Sequence, residues 1–377
     1  MVDILQSKTH SSHISRALSL ISKGKEFSLP AFVRSVSSYE TPLVRPDDAL
    51  LALHLHPSSA PILISSFDLS QHGASYSYQD RAPNLMQFRR LLQSHDERGR
   101  IIFLDSGNYE SYRLKRGATD ESDEDKIWLP KHHLEVLNSE EAVDFTFSFD
   151  QQSMPGPATS KADRIIEWCG MGQTENPAIP IIHAAHKSNG KVNFRDLGTV
   201  INRVVSELNC DVIAVPERDL GDGITERIKA VRKIRRILNN TGRYRLLHLL
   251  GTGNPYTILL LAAAGADLFD GLEWCRLAVD AETGRLHHPH HFDMFWSRMK
   301  FSEYDAVRDL FTSSQYPSIF KMLIHNLDFF DSWMKELRLA VHGGHAEQML
   351  RSYMGTGSFL EAETVFESAL HGELGND

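Results

Sequence analysis

Two stretches in the second half of the chain bring together residue types that can do chemistry. HLLGTGNP, residues 248–255, is a glycine-rich turn ending at Pro255. ADLFDGLEWCR, residues 266–276, is an apolar run that delivers Asp270 and, six residues later, Arg276. A carboxylate, a cation and a glycine-lined turn this close together at a strand end make a site, because the carboxylate can act as nucleophile or proton carrier while the cation holds an anionic group.

Elements that could position these residues recur along the chain. Short apolar, β-rich runs each end in polar or small residues and lead into a helical pattern: PILISSFD from Pro61, RIIFLDS from Arg100, DFTFSFD from Asp144, IPIIHAA from Ile179, DVIAVPE from Asp211, YRLLHLLG from Tyr244 and ADLFDGLE from Ala266. Repeated β/α units predict a parallel sheet. Seven runs are visible, and an eighth has room in the first fifty residues or in RLHHPHHF after Arg285. The expected fold is therefore a (β/α)8 TIM barrel over residues 51–299, led into by a segment 1–50; an open doubly wound sheet is the alternative. Helical spacing is clear in APNLMQFRRLLQSH, KADRIIEWCG, FRDLGTVINRVVSELN and NPYTILLLAAAG. GATDESDEDK, residues 117–126, is acidic and aperiodic and reads as a loop insertion. Beyond residue 300 the strand signal stops, which predicts a helical C-terminal appendage over 300–377 packed on the barrel.

In a parallel barrel, functional side chains gather at the carboxyl ends of the strands. Those ends supply Asp105, Ser106 and Tyr109 from DSGNY, Asp150 from FSFD, His183 from IIHAA, Glu217 and Arg218 from AVPER, Leu250 and Gly251 of the glycine turn, and Asp270 with Arg276. Four carboxylates from four strands facing one cavity is unfavourable without protonation, a cationic partner or a reaction that uses them.

Composition narrows the classes. The 377 residues, 41% hydrophobic, are those of a globular protein with a sizeable core, and no apolar run approaches the roughly 20 residues a bilayer needs. The N-terminus lacks a basic-then-apolar leader pattern, so the expected compartment is the cytoplasm. Cys169, Cys210 and Cys275 are too far apart for a ligand pair or a disulfide framework and read as buried thiols. A net charge of -9 argues against a whole-surface grip on nucleic acid, but RIKAVRKIRRILNNTGRYR, 227–245, concentrates basic residues as either a solvated helix face or a backbone contact. His287, His288, His290 and His291 match no standard zinc spacing and read as a polar loop.

At the strand-end residues the chain resembles the tRNA-guanine transglycosylase superfamily, whose members exchange a guanine in a polynucleotide for a 7-deazaguanine. The resemblance runs from about Pro61 to Tyr353. DSGNYE is similar to the family's DSGG(F/Y)Q, which implies Asp105 as general acid/base and Tyr109 as the ring that stacks on the base. FDGLEWCR is similar to FDCVLPTR with identical spacing, which implies Asp270 as nucleophile and Arg276 as a substrate-backbone contact. HLLGTGNP resembles HYLMGVG(T/K)P, with Leu250 in place of a methionine that covers the other face of the base. Asp150 matches the carboxylate that reads the guanine-like edge, with Ser106 and Gly251 beside the base. His183 stands where the family has a glutamine. PERDLG replaces GGLAVG, which puts Glu217 near the substituent on C7 and Arg218 among the nucleic-acid contacts.

LIHNLDFFDSWMKELRLAVHGG resembles the family's HNL helix, and His325 matches its zinc histidine, but the three cysteine ligands are missing. One histidine cannot hold zinc, so the family's structural metal is expected to be lost or rebuilt; zinc is not expected at His325, and no other cofactor is. The resemblance, with its lost cysteines and altered PERDLG loop, implies the divergent DNA-modifying branch: a transglycosylase that replaces guanine in DNA with a 7-deazaguanine such as the 7-cyano form (preQ0), through a covalent Asp270 intermediate. The alternatives are the same reaction on tRNA, or a non-catalytic nucleic-acid-binding partner subunit. The partners implied are DNA or tRNA, the free base, helper proteins of a modification system and, left open, a second copy in a homodimer.

Overall fold

The computed structural model describes residues 2–6, 17–38, 43–71, 83–110, 128–152, 154–171, 178–298 and 304–372. The acidic stretch 117–126 lies outside them.

Three antiparallel strands, β1 (Val2–Gln6), β2 (Ala17–Ser22) and β3 (Lys25–Ser28), precede the main sheet. That sheet is built from β4 (Ala31–Val36), β5 (Ile62–Ser65), β6 (Ile102–Asp105), β7 (Phe145–Thr146), β8 (Val212–Pro216), β9 (Leu246–Leu250) and β10 (Leu268–Gly271). Its spatial order is β7-β6-β5-β4-β10-β9-β8, and every pair is parallel. A short hairpin, β11 (Ala278–Val279) with β12 (Leu286–His287), follows.

The fold is TIM-like, a curled seven-stranded parallel sheet with helices, and not the eight regular strands in a closed ring that the sequence led us to expect. IPII from Ile179 is the run that differs. It forms only isolated parallel bridges, Ile179 to Phe147 beside β7 and Ile181 to Ala214 in β8. Pro180 has no N–H to give a ladder, although its carbonyl accepts from Ala214 N at 2.9 Å. A strand does lie in the first fifty residues: β4 sits between β5 and β10, so the sheet begins at Ala31 and not after residue 50. The other candidate, after Arg285, is the β11–β12 hairpin.

Alternation along each strand divides the core in two. Ala31, Val33, Leu63, Phe103, Val212, Ala214, Leu246 and Leu268 point into the curl with Leu20, Phe27 and Leu29 from the N-terminal strands, which cover its amino-terminal end. Phe32, Ile62, Ile102, Leu104, Ile213, Leu247, Leu249 and Phe269 point outward against the helices. Four crossover helices, Leu85–Glu97, Ala158–Cys169, Phe194–Leu208 and Pro255–Ala264, fall where the apolar spacing places them. Asn84, Asn193 and Asn254 accept backbone N–H bonds as caps of three of them.

The C-terminal region is helical: Asp305–Thr312, Ser318–Gly343, Ala346–Met354 and Thr356–His371. The long Ser318–Gly343 helix is fastened to the sheet by polar bonds as well as by its apolar face. Arg34 of β4 is buried, pairs with Asp331 at 2.9 Å and lies over the Phe32 and Phe330 rings. His56 bonds Asp328 at 2.9 Å. No helix among the described residues is long and apolar enough to cross a membrane. The three cysteines are free and buried, and burial pushes the Cys169 and Cys210 thiols up to about 12 and about 11.

Candidate active site

Strand alternation also fixes what lines the carboxyl-terminal end of the sheet. The last inward positions are Ser35 of β4, Ser65 of β5, Asp105 of β6, Pro216 of β8, Leu250 of β9 and Asp270 of β10. All six line a cavity of ≈ 370 Å³, together with Tyr109, Glu110, Asp150, Glu217, Arg218, Gly251, Glu273 and Arg276. The four strand-end carboxylates read from the sequence, Asp105, Asp150, Glu217 and Asp270, thus share one cavity.

Asp270 is held by three donors. His248 Nε2 lies 3.0 Å from Oδ1, Gly251 N–H donates to Oδ1 at 3.3 Å, and Ser35 Oγ–H donates to Oδ2 at 3.2 Å. Gly251 supplies its N–H from a turn with φ of +77°, a conformation that glycine adopts without strain. The next two glycines serve a different purpose. A Cβ on Gly253 or Gly271 would overlap the Glu273 carboxylate, and one on Gly271 would also come within 2.9 Å of the Gly253 backbone. The glycine-rich turn therefore makes room for a second carboxyl beside the first.

Asp105 has a different environment. Burial pushes its carboxyl up to about 7, the Gly107 N–H at 3.1 Å opposes the shift, and the charges of Asp150 and Asp270 add to it. The result is a group that carries a proton near neutrality facing a carboxylate held by donors. Glu110, on the same wall, is pushed up to about 8 by burial and by Asp105 and Asp68; Ser37 Oγ donates to its Oε1 at 3.0 Å. Burial lifts Glu273 to about 6, with Arg276 opposing and Asp270 and Glu217 adding.

Asp150 sits on a polar scaffold. Its Oδ1 meets His183 Nε2 at 2.6 Å, and Asp219 Oδ2 meets His183 Nδ1 at 2.7 Å. Burial works against an imidazolium, but the bonds to the two carboxylates outweigh it and hold His183 up at about 9. His183 is thus a cation clamped behind Asp150 and does not line the cavity, a correction to its expected place beside the base. Ser106 is corrected in the same way: fully buried, its Oγ accepts from Asp150 N–H at 3.2 Å and its carbonyl from Trp128 Nε1–H at 2.7 Å.

Arg218 is exposed, and its guanidinium lies 5.1 Å from the centre of the Tyr109 ring, with Gln152 and Asp219 as further partners. It covers the aromatic wall, where the sequence put it among nucleic-acid contacts. Burial raises the Glu217 carboxyl while its partner Arg227 lowers it.

Arg227 belongs to the basic stretch 227–245, most of which is bound internally. Arg232 donates to the Ala369 and Gly372 carbonyls, Arg235 is buried against Asp267 at 2.5 Å, Arg243 pairs with Asp211, and Arg245 donates to the Cys210 carbonyl at 3.1 Å. This is a framework of ion pairs more than a nucleic-acid grip or a solvated face.

The HNL segment of the long helix secures the loop that follows Asp270. Asn326, fully buried, accepts from Val279 N–H at 3.1 Å and donates to the Trp274 and Leu277 carbonyls, each at 2.7 Å. His325 Nε2 donates to the Val279 carbonyl at 2.8 Å. Trp274 Nε1–H donates to the Ser35 carbonyl at 2.8 Å and closes the loop against β4. The matched zinc histidine is therefore a hydrogen-bonding residue of the core. No group of three His, Cys, Asp or Glu side chains among the described residues is arranged to hold a metal. The exposed rings of His288, His290 and His291 do cluster, but His288 Nδ1 accepts from the His290 backbone N–H.

Ser35, Glu110, His248 and Glu273 are site residues to which sequence reading attached no role. For His248 a signal was available, because it lies two residues before Leu250 in the run from Tyr244 and shares its parity; Ser35 lies in β4, whose place beside β10 only the structure shows.

No protein-family model matches the chain, and no curated protein sequence is close enough to count as a relative.

Proposed function

We propose that the chain is a base-exchange transglycosylase that replaces guanine in DNA with a 7-deazaguanine such as the 7-cyano base, working as a (β/α)8 barrel in which residues 179–182 stand for the irregular eighth strand. The observation that carries the reading is the pair of unlike aspartates in one cavity: Asp270 held by three hydrogen-bond donors, Asp105 pushed up to about 7. A carboxyl that burial keeps protonated toward neutrality suits an acid/base, and a neighbouring carboxyl fixed by three donors suits a nucleophile.

Displacement at an anomeric carbon with retained configuration needs two in-line steps through an oxocarbenium-like state. An Asp270 oxygen forms the bond to C1′ as the C1′–N9 bond breaks, its electron pair leaves with guanine, and the proton on Asp105 neutralises the leaving base. In the second step N9 of the incoming base attacks C1′, Asp270 leaves as carboxylate and Asp105 takes the N9 proton. Asp150, fixed by His183 and Ser106, accepts from the donor edge of a guanine-like ring. Tyr109 and Leu250 cover its two faces, Glu217 lies near the C7 substituent, and Arg276 at the cavity wall holds a phosphate. The target nucleotide must be single-stranded, looped or flipped out of its stack, because its anomeric carbon is out of reach inside a duplex. The chemistry assigned to these residues needs no metal or organic cofactor.

The test is incorporation of labelled 7-deazaguanine or guanine by the purified protein into DNA and, in parallel, into tRNA. Label in DNA supports the reading. Label in tRNA alone overturns the choice of polymer, and exchange that survives Asp270→Ala overturns the mechanism and favours a supporting, non-catalytic role for this site.

A further inference from the structure

We infer that His248 is the positioning residue of the nucleophile, fixing one oxygen of Asp270 through Nε2–H and leaving the other, Oδ2, as the attacking atom. The inference rests on the transglycosylase reading for its kinetics but on the fold for its geometry.

His248 lies in the middle of β9 and is fully buried, in a layer otherwise made of apolar side chains. Its ring makes T-shaped contacts with two aromatic neighbours, Phe103 at 6.0 Å and 90° and Phe147 at 5.2 Å and 69°. Its only hydrogen-bonded ring atom among the described residues is Nε2, 3.0 Å from Asp270 Oδ1, and Nδ1 has no partner. A proton on Nδ1 would be buried with nothing to accept it, whereas a proton on Nε2 points at a carboxylate. The packing therefore selects the Nε2–H form. A leucine or phenylalanine would fill the same space without leaving a polar atom unpaired, so packing alone does not account for the imidazole.

The consequence for Asp270 is an asymmetric carboxylate. Among the described residues Oδ1 receives both the His248 N–H, at 3.0 Å, and the Gly251 N–H, at 3.3 Å, while Oδ2 receives the Ser35 hydroxyl alone, at 3.2 Å. Two donors on one oxygen lock the rotation of the carboxylate and concentrate reactive electron density on the other. The ring does not touch substrate; it acts through Asp270.

Two variants and one spectrum test this. His248→Phe keeps the aromatic packing and removes the donor; His248→Gln restores an N–H at nearly the same reach. With both variants folded, the account expects His248→Phe to lower kcat by roughly 10²-fold with KM for the base changed less than about threefold, and His248→Gln to recover about tenfold of that loss. A loss carried by KM, or a glutamine variant no better than the phenylalanine one, overturns the assignment. If the wild-type protein exchanges no base in any polymer, the transglycosylase reading falls separately. The assignment is then judged by ¹⁵N histidine spectra, with the His248 signal identified by its absence in His248→Gln. The expected result is a ring protonated at Nε2 and not at Nδ1, with a resonance that moves in Asp270→Asn. A proton on Nδ1, or a resonance indifferent to Asp270, contradicts it.

Discussion

At the scale of single residues, the cavity is a set of acids whose environments differ. Asp105, Glu110 and Glu273 are all raised, to about 7, about 8 and about 6, and in each case burial is the largest cause. For Asp105 the sign of the stability effect follows from linkage. Between its ordinary value of 3.8 and about 7 the folded state holds the proton more tightly than the unfolded chain, so stability falls as pH rises through that window. Asp105→Asn removes the ionisation, and the asparagine oxygen can still accept from Gly107 N–H. The variant should therefore be more stable than wild type by roughly 1 to 3 kcal/mol at about pH 8, and nearly equal to it at about pH 4, in denaturant unfolding. Equal stability at both values would show that Asp105 is not held protonated. Asp270 and Asp105 were legible in the sequence because each ends an apolar run. Glu110 was not, because its burial depends on neighbours brought in from Ser37 and Asp68, far away in the chain.

At the scale of elements, the site is a consequence of alternation and of one clamp. Strand parity places Ser35, Asp105, Leu250 and Asp270 on the inner side, and the apolar runs from Arg100, Tyr244 and Ala266 that carry the last three were visible in the sequence. The run from Ile179 looked equally strand-like, yet Pro180 interrupts its ladder. The strand Ala31–Val36 was hidden for the opposite reason: it carries Arg34, a charge that reads as surface but is buried against Asp331 of a helix some three hundred residues later. Such a pairing leaves no local trace. The clamp is Asn326, which ties the Ser318–Gly343 helix to the backbone after Asp270. Asn326→Ala leaves a buried N–H and two buried carbonyls without their partner and should cost roughly 2 to 4 kcal/mol in urea unfolding, with kcat falling as the loop loosens. A loss below about 1 kcal/mol would mean that the loop holds its shape without the helix.

At the scale of the whole molecule, charge decides how a polymer could be held. The chain carries a net charge of -9, and the basic stretch 227–245 is largely bound into internal ion pairs and carbonyl contacts. Affinity for a polyanion must then come from a few cations at the cavity, with a shallow dependence on salt. Measured by fluorescence anisotropy on single-stranded DNA, Arg276→Ala should weaken binding by about tenfold. The double change Lys229→Ala, Arg236→Ala on the exposed side of the Ile224–Asn239 helix should alter it by less than about twofold. The reverse ranking would return the basic helix to the binding surface. The central claim, that Asp270 attacks the sugar, is tested most directly by mass spectrometry of the intact protein incubated with oligonucleotide and quenched before an incoming base is supplied. The account predicts a covalent protein–oligonucleotide adduct that has lost guanine, maps to Asp270, disappears on adding the base and never forms in Asp270→Asn. Base exchange with no adduct, or an adduct on any other residue, would contradict it.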